Sequence, residues 1–358
     1  MNITTNLRAV EPHSVEVPQP TEKVLSGKDY VMYGEDNKYP DHLLQYYEDC
    51  PTLQSVINGL ADYVSGAGME AYKGAIVVDS KGGTLEELAK KIVLDYLIFG
   101  AFSINVLRSE FHNITELIYL DVRRVRLDED ANFAFYQKSW DKFNTKKVRK
   151  YPVFSPTATD NSSVFYYKNT RSRGVYGRPI WSSAAKDVQT AIEISKFHLH
   201  SILNNFAPSA VVNFNNGTPS DDEQHRIEDL LNEKFSGSEN ASRLLLSFND
   251  SKENAVTLAR LTEDNFDKKY DALAKSVKEN IFISFRGHPQ LFGADPERQG
   301  FNGIEYQQSF ELFKATVAAP IQREIEKAFA KIDPAYAFQF KEFTVKIPES
   351  TPTEGATL

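Results

Sequence analysis

The residues best placed to do chemistry in this chain are cations. Between Arg123 and Arg178 lie thirteen Lys and Arg against five Asp and Glu, a local charge of +8. The other 28 basic and 44 acidic residues carry −16, so the 358-residue chain stands at −8. The band holds Arg123, Arg124, Arg126, Lys146, Lys147, Arg149, Lys150, Arg171 and Arg173, interleaved with Phe133, Phe135, Tyr136, Trp140, Tyr151 and Phe165. Cations spaced among aromatics make a polyanion-facing surface. Strands whose outward residues are Lys and Arg would give the same pattern. The acidic total also speaks against a globally basic nucleic-acid binder.

Catalytic patterns fail on context. Gly66-Ala-Gly-Met-Glu-Ala71 fits GxGxxA, but it follows a helical pattern and leads into an expected strand, the reverse of a dinucleotide-binding turn. Residues 80–84 lack the spacing of a phosphate loop, and neither GxSxG nor HExxH occurs. His198 and His200 are two apart on an expected helix and point to different sides, so they cannot share a metal. Cys50 sits in a Glu-Asp-Cys-Pro turn with no adjacent base and reads as an inert thiol. Asp221/Asp222 and Asp128/Asp130 read as solvated turns. No catalytic residue, metal site or cofactor is expected.

Composition sets the remaining bounds. Hydrophobic residues at 41%, with 24 Phe and 17 Tyr, exclude disorder over the whole chain. A single cysteine excludes an intramolecular disulfide and suggests a reducing compartment. The N-terminus lacks the basic-then-apolar order of a signal peptide, and no apolar stretch is long enough to span a bilayer.

These residues must be positioned by a mixed α+β fold. Residues 1–25 read as an extended arm. Leu43 to Val64 follow helical spacing up to Gly66 and Gly68, and 71–79 reads as a strand. Thr84 and Glu87 form a capping box for a helix over 85–99, which stops at Gly100. Short strands are expected at 102–108, 116–120, 124–127, 133–137 and 164–168. A helix without Gly or Pro fills 182–206, roughly 37 Å at 1.5 Å per residue. A β-α-β module follows, with strands at 210–214 and 244–248 around a helix opened by Ser220 and Glu223. A second long helix covers 263–285. A Gly/Pro-rich loop leads to a third helix over 303–332, kinked at Pro320. A last strand is expected at 337–347. Two long helices with a small module between them leave flanks that identical copies could cover in a closed ring.

Several motifs together resemble the tailed-bacteriophage portal family, in its HK97-type branch. They are Tyr-Gly-Arg-Pro-Ile-Trp-Ser-Ser-Ala-Ala (176–185), Asn-Asn-Phe-Ala-Pro-Ser-Ala-Val-Val (204–212), Asp-Asp-Glu-Gln (221–224) and Asn-Ala-Ser-Arg-Leu-Leu-Leu (240–246). Further along come Phe-Ile-Ser-Phe-Arg-Gly-His-Pro-Gln-Leu-Phe-Gly (282–293) and Asn-Gly-Ile-Glu-Tyr-Gln-Gln (302–308). Tyr-Gly-Glu-Asp-Asn-Lys-Tyr-Pro (33–40) and Leu-Ile-Phe-Gly-Ala-Phe (97–102) fit less specifically. The match runs in order over residues 30–347. His288 and Ala210 depart from the family's Val and Gly. Few residues follow 347, so the helical crown of many portals is expected to be absent.

The resemblance implies a homo-oligomeric ring of about twelve copies at one capsid vertex, made in the cytoplasm of a bacterial host and carried in the virion. Double-stranded DNA enters through its pore, driven by a terminase, and later leaves by it. It implies a wing over 26–180, stem helices over 182–206 and 251–285, and a clip over 207–250. A pore loop over 286–302, a tunnel helix over 303–332, a returning wing strand over 333–347 and a polar tail over 348–358 complete the order. The DNA-facing set would be Arg286, His288, Gln290, Glu297, Arg298, Gln299 and Asn302. Asp221, Asp222, Arg226, Asp229 and Glu233 would dock the terminase large subunit and then the head–tail connector. Major capsid or scaffolding protein would be a further partner, with the basic band open to DNA, scaffold or capsid, and no membrane is involved. Another ring-forming head or tail adaptor, a nucleic-acid-binding protein using the basic band, and an enzyme with an unrecognised site are the competing classes.

Overall fold

The computed structural model describes residues 17–140, 148–203, 210–214, 223, 226, 244–248, 266–293 and 303–342. The chain divides into two units, residues 1–188 with 279–358, and residues 189–278.

The first unit opens with Glu22–Val24 (β1) paired antiparallel to Val31–Tyr33 (β2), so the end of the expected arm is a strand. Helical spacing over 43–64 resolves into two helices, Tyr39–Asp49 (α1) and Pro51–Ser65 (α2). Pro51 has no N–H and holds Cys50 in an extended conformation, so the chain turns there. Ala71–Gly74 (α3) is one turn of helix, where a strand over 71–79 was expected. Only Ile76, Val77 and Val78 are β-branched in that stretch; Val77 bridges Thr84, while Ala71 and Lys73 favour a helix.

Leu85–Phe99 (α4) begins with the Thr84–Glu87 capping box and ends at Gly100 in the left-handed conformation, as the sequence predicts. It lies on Ala101–Arg108 (β3), the middle strand of a sheet ordered Ile114–Leu120 (β4), β3, Ser162–Lys168 (β8). A second sheet contains Val125–Leu127 (β5), Phe133–Tyr136 (β6) and Arg149–Pro152 (β7), all antiparallel. Leu53, Val56, Ile57 and Leu60 of α2 and Leu85, Ala89, Ile92 and Val93 of α4 are fully or nearly fully buried. Contact between α2 and α4 makes this the core of the unit.

Ala185–Leu203 (α5) and Phe266–Ser284 (α6) are the two long helices expected on either side of the β module. Within the second unit, Ala210–Phe214 (β9) and Leu244–Phe248 (β10) pair in parallel; of the helix expected between them only Glu223 and Arg226 are described, both in helical backbone. The third helix runs as Gly303–Phe313 (α7), a π-helical turn Lys314–Ala318, and Ala319–Ile332 (α8). The π turn sits just before Pro320, the residue expected to disturb the helix. The strand expected over 337–347 reduces, over its described residues, to one bridge between Phe340 and Met69. Phe338 and Phe340 stack edge-on, and Phe338 meets Phe329 of α8, so aromatic packing takes the place of a ladder. Residues 343–347 lie outside the described residues.

Candidate functional site

Of the expected pore residues, Arg286, His288 and Gln290 are described; Glu297, Arg298, Gln299 and Asn302 lie outside the described residues. Arg286 closes α6. It has φ 54°, with its N–H on the Ile283 carbonyl and the Gly287 N–H on the Phe282 carbonyl, the paired bonds of a Schellman end. Its guanidinium Nη2 donates to the Thr316 carbonyl at 3.1 Å. Thr316 stands four residues before Pro320, so this is the carbonyl whose helical donor the proline removes. Arg286 is therefore engaged with the disturbed helix, not simply presented to a pore. His288 is exposed, and its ring nitrogen caps the short 3₁₀ turn Pro289–Phe292. Tyr63 on α2 donates to the Leu291 carbonyl at 2.7 Å, and Phe292 lies where a Cβ on Gly59 or Gly287 would collide with it. The beginning of the expected loop is thus fastened to α2.

The basic band does not form one surface. Arg126 is fully buried, and its guanidinium donates to the Asn37 side chain at 2.7 Å and to the carbonyls of Asn37, Arg123 and Val125. Burial pushes its pKa down. It is a core residue, because β5 is buried at all three positions and leaves no solvent face for Arg126. Arg123 is bound to Asp121 at 2.7 Å and Asp41 at 3.3 Å, and Arg124 reaches Asp121 at 3.4 Å. Lys150 and Arg149 are exposed on β7, with the Lys150 ammonium 3.8 Å over the Phe133 ring. Arg173 lines a groove with Glu22, Glu129, Asp130 and Lys168. Arg171 joins Arg286 around a small cavity of about 30 Å³ that also includes Glu324. Glu324 accepts from Tyr96 at 2.5 Å and Thr170 at 3.0 Å. Lys146 and Lys147 lie outside the described residues.

Arg226 is exposed in helical backbone, and Asp221, Asp222, Asp229 and Glu233 lie outside the described residues. Cys50 is buried, and burial raises its thiol pKa, as suits an inert thiol. Among the described residues no group of three or more His, Cys, Asp or Glu could hold a metal ion. No described helix is long and apolar enough to cross a membrane.

The sequence pattern of the family described as phage portal protein matches residues 81–342. The chain belongs to the phage portal protein family. Its fold is shared with solved structures. A chain in the virion of a native gene transfer agent particle is 15% identical, with TM-score 0.54 over 85% of this chain and 83% of that one. A chain in the neck of the native particle, computed with C12 symmetry, is 15% identical with TM-score 0.53 over 86% of both. An HK97 family phage portal protein from Corynebacterium diphtheriae is 13% identical with TM-score 0.49, over 83% of this chain and 94% of that one. Among curated proteins none matches the chain.

In this portal-family chain, two of the sequence motifs meet in space. Gly100 and Gly177 lie back to back: a Cβ on Gly100 would overlap the Arg178 carbonyl, and one on Gly177 the Gly100 carbonyl. Tyr176 donates to the Val31 carbonyl, accepts from the Leu127 N–H at 3.1 Å, and stacks on Tyr33 at 4.4 Å. The Trp181 indole donates to the Leu97 carbonyl at 3.0 Å. The Tyr-Gly-Arg-Pro-Ile-Trp run is thus a latch that fixes the start of α5 onto α4 and β3. Sequence reading missed Lys38 and Lys138, which share a cleft with Arg123, Arg124 and Trp140. Eighty-five or more residues separate Lys38 from those partners, so no local pattern could reveal it.

Proposed function

We propose that this chain assembles into a closed ring of about twelve copies at one vertex of a phage-like capsid, as the conduit for double-stranded DNA during packaging and ejection. The observation that carries the reading is family membership over residues 81–342, a span that takes in both long helices, the parallel β module and the proline-disturbed helix. Apolar side chains left in solvent on those helices support it: Leu199 is 56% exposed, Leu273 47%, Ile283 69% and Leu312 66%. Burying such side chains between identical neighbours is a standard source of ring stability. The fold shared with a neck component computed in C12 symmetry agrees with that number of copies.

The acidic segment 220–235, with six acids and two bases, suits a protein partner better than DNA. It is assigned here to the terminase and then the head–tail connector. The wing faces capsid or scaffolding protein. A weakly binding DNA path follows from the chain's acidic total, because tight phosphate pairing would slow translocation. The test is mass measurement with electron microscopy of the purified chain. Perforated rings of about twelve times the 40.5 kDa chain mass are expected; a monodisperse monomer at assembly concentrations overturns the reading. In infected cells, Arg286→Glu with Arg298→Glu is expected to leave rings intact and reduce DNA-filled heads. Normal filling would remove those two residues from the conduit.

A further inference from the structure

Lys38, Asp41, Arg123, Arg124, Lys138, Ser139 and Trp140 line one surface cleft of about 280 Å³. Among the described residues its lining carries two arginines and two lysines against one acid, Asp41. Asp121 pairs with Arg123 at 2.7 Å and Arg124 at 3.4 Å, and Asp41 with Arg123 at 3.3 Å, while the arginine side chains remain 28% and 41% exposed. Lys138 is exposed and makes no ion pair among the described residues. Trp140 carries the second observation. Only 7% of it is exposed, yet its indole N–H has no hydrogen-bond partner among the described residues. A buried donor left without an acceptor is costly and uncommon in folded proteins. Its ring is fixed between Tyr30 and the Arg126 guanidinium, both with ring distances of 4.9 Å. Helix α1 also begins at this rim, with Lys38 as an N-cap that makes no side-chain cap bond, so the positive end of the helix dipole lies there.

We propose that this cleft binds a phosphate group, presented by the backbone of duplex DNA or as free phosphate. The donors come from three separate elements: the 3₁₀ turn Val122–Arg124, the start of α1, and the segment after β6. A tetrahedral group with acceptor oxygens on all sides suits donors on different walls better than a planar carboxylate does. The described lining residues all belong to the first unit. None of the described pore residues, Arg286, His288 and Gln290, lines it.

The test uses the full chain with two probes: inorganic phosphate followed by tryptophan fluorescence at constant ionic strength, and a labelled duplex of about 20 base pairs followed by anisotropy. Phosphate is expected to saturate, and Lys138→Glu and Arg124→Glu are each expected to weaken it about tenfold with unchanged circular dichroism. Lys138→Gln, at an exposed position, serves if a charge reversal fails to fold. Trp140→Phe should remove the fluorescence response. Duplex binding that phosphate competes away identifies the DNA backbone as the source. Saturation by phosphate with an indifferent duplex identifies free phosphate. The proposal is overturned if neither probe binds, if the folded variants bind like wild type, or if only an acidic polypeptide such as polyglutamate binds. None of those results changes the ring mass, so the cleft and the ring reading fail separately.

Discussion

Two buried ionisable groups dominate at the scale of single residues. Arg126 sits inside the first unit with four hydrogen bonds to neutral acceptors. Arg126→Ala would leave several of those acceptors unpaired in a closed space. A loss of about 3 kcal/mol or more is expected in denaturant melts. Arg126→Lys should recover only part of it, because one ammonium cannot copy the planar fork. Asp95 on α4 is the opposite case. Burial raises its pKa well above the usual carboxylate value, opposed by the Tyr119 hydroxyl that donates to both its oxygens, with Asp121 raising and Arg123 lowering it further. A folded pKa above the unfolded one gives stability that is fully present below the unfolded value and is lost as pH rises toward the folded value. Asp95→Asn is therefore expected to raise the melting temperature more at pH 8 than at pH 4. An equal gain at both, by calorimetry, would contradict this protonation.

At the scale of elements, the junction between α4, β3 and the start of α5 is the most constrained part of the first unit. Gly100 combines a left-handed φ of 71° with contact against the backbone at Arg178. Gly100→Ala incurs the left-handed penalty and the overlap together, about 2 kcal/mol or more. Removing the Thr84 cap from the same helix by Thr84→Ala should cost only about 1 kcal/mol. Thermal melts of the two variants should rank in that order. The third helix shows a different solution to a local conflict. Pro320 breaks the ladder, a π turn absorbs the irregularity, and Arg286 supplies a donor to the Thr316 carbonyl. The residue that ends α6 thereby ties the following loop to the disturbed helix.

For the whole molecule, the ring reading concentrates on exposed apolar side chains. Ile283→Glu with Leu312→Glu places charge where subunit contacts are proposed, at positions 69% and 66% exposed in the single chain. Sedimentation is expected to show monomers in place of rings, with unchanged circular dichroism. Rings of normal mass would move the interface elsewhere. In the proposed ring of twelve copies the net charge of −8 per chain would total roughly −96, which would suit a sleeve that does not grip DNA tightly. Within it the cationic cleft around Trp140 is a local exception.

Local signals decided much of this fold. The capping box at Thr84, the stop at Gly100, the long Gly- and Pro-free helix and the proline at 320 each act through neighbours a few residues away, so spacing alone reveals them. The family's motifs were legible for the same reason. Chain-distant packing decided the rest. Whether Arg126 faces solvent or core depends on Asn37, 89 positions earlier, and on how β5 is covered. The strand expected at 71–79 became a turn of helix because β-branched residues occupy only its end, and over the described residues 337–342 the expected pairing is one bridge because Phe338 packs on α8. A run of like charges in sequence says how many cations there are. Only tertiary structure, by bringing Lys38 beside Arg123 and Lys138, decided which of them share a site.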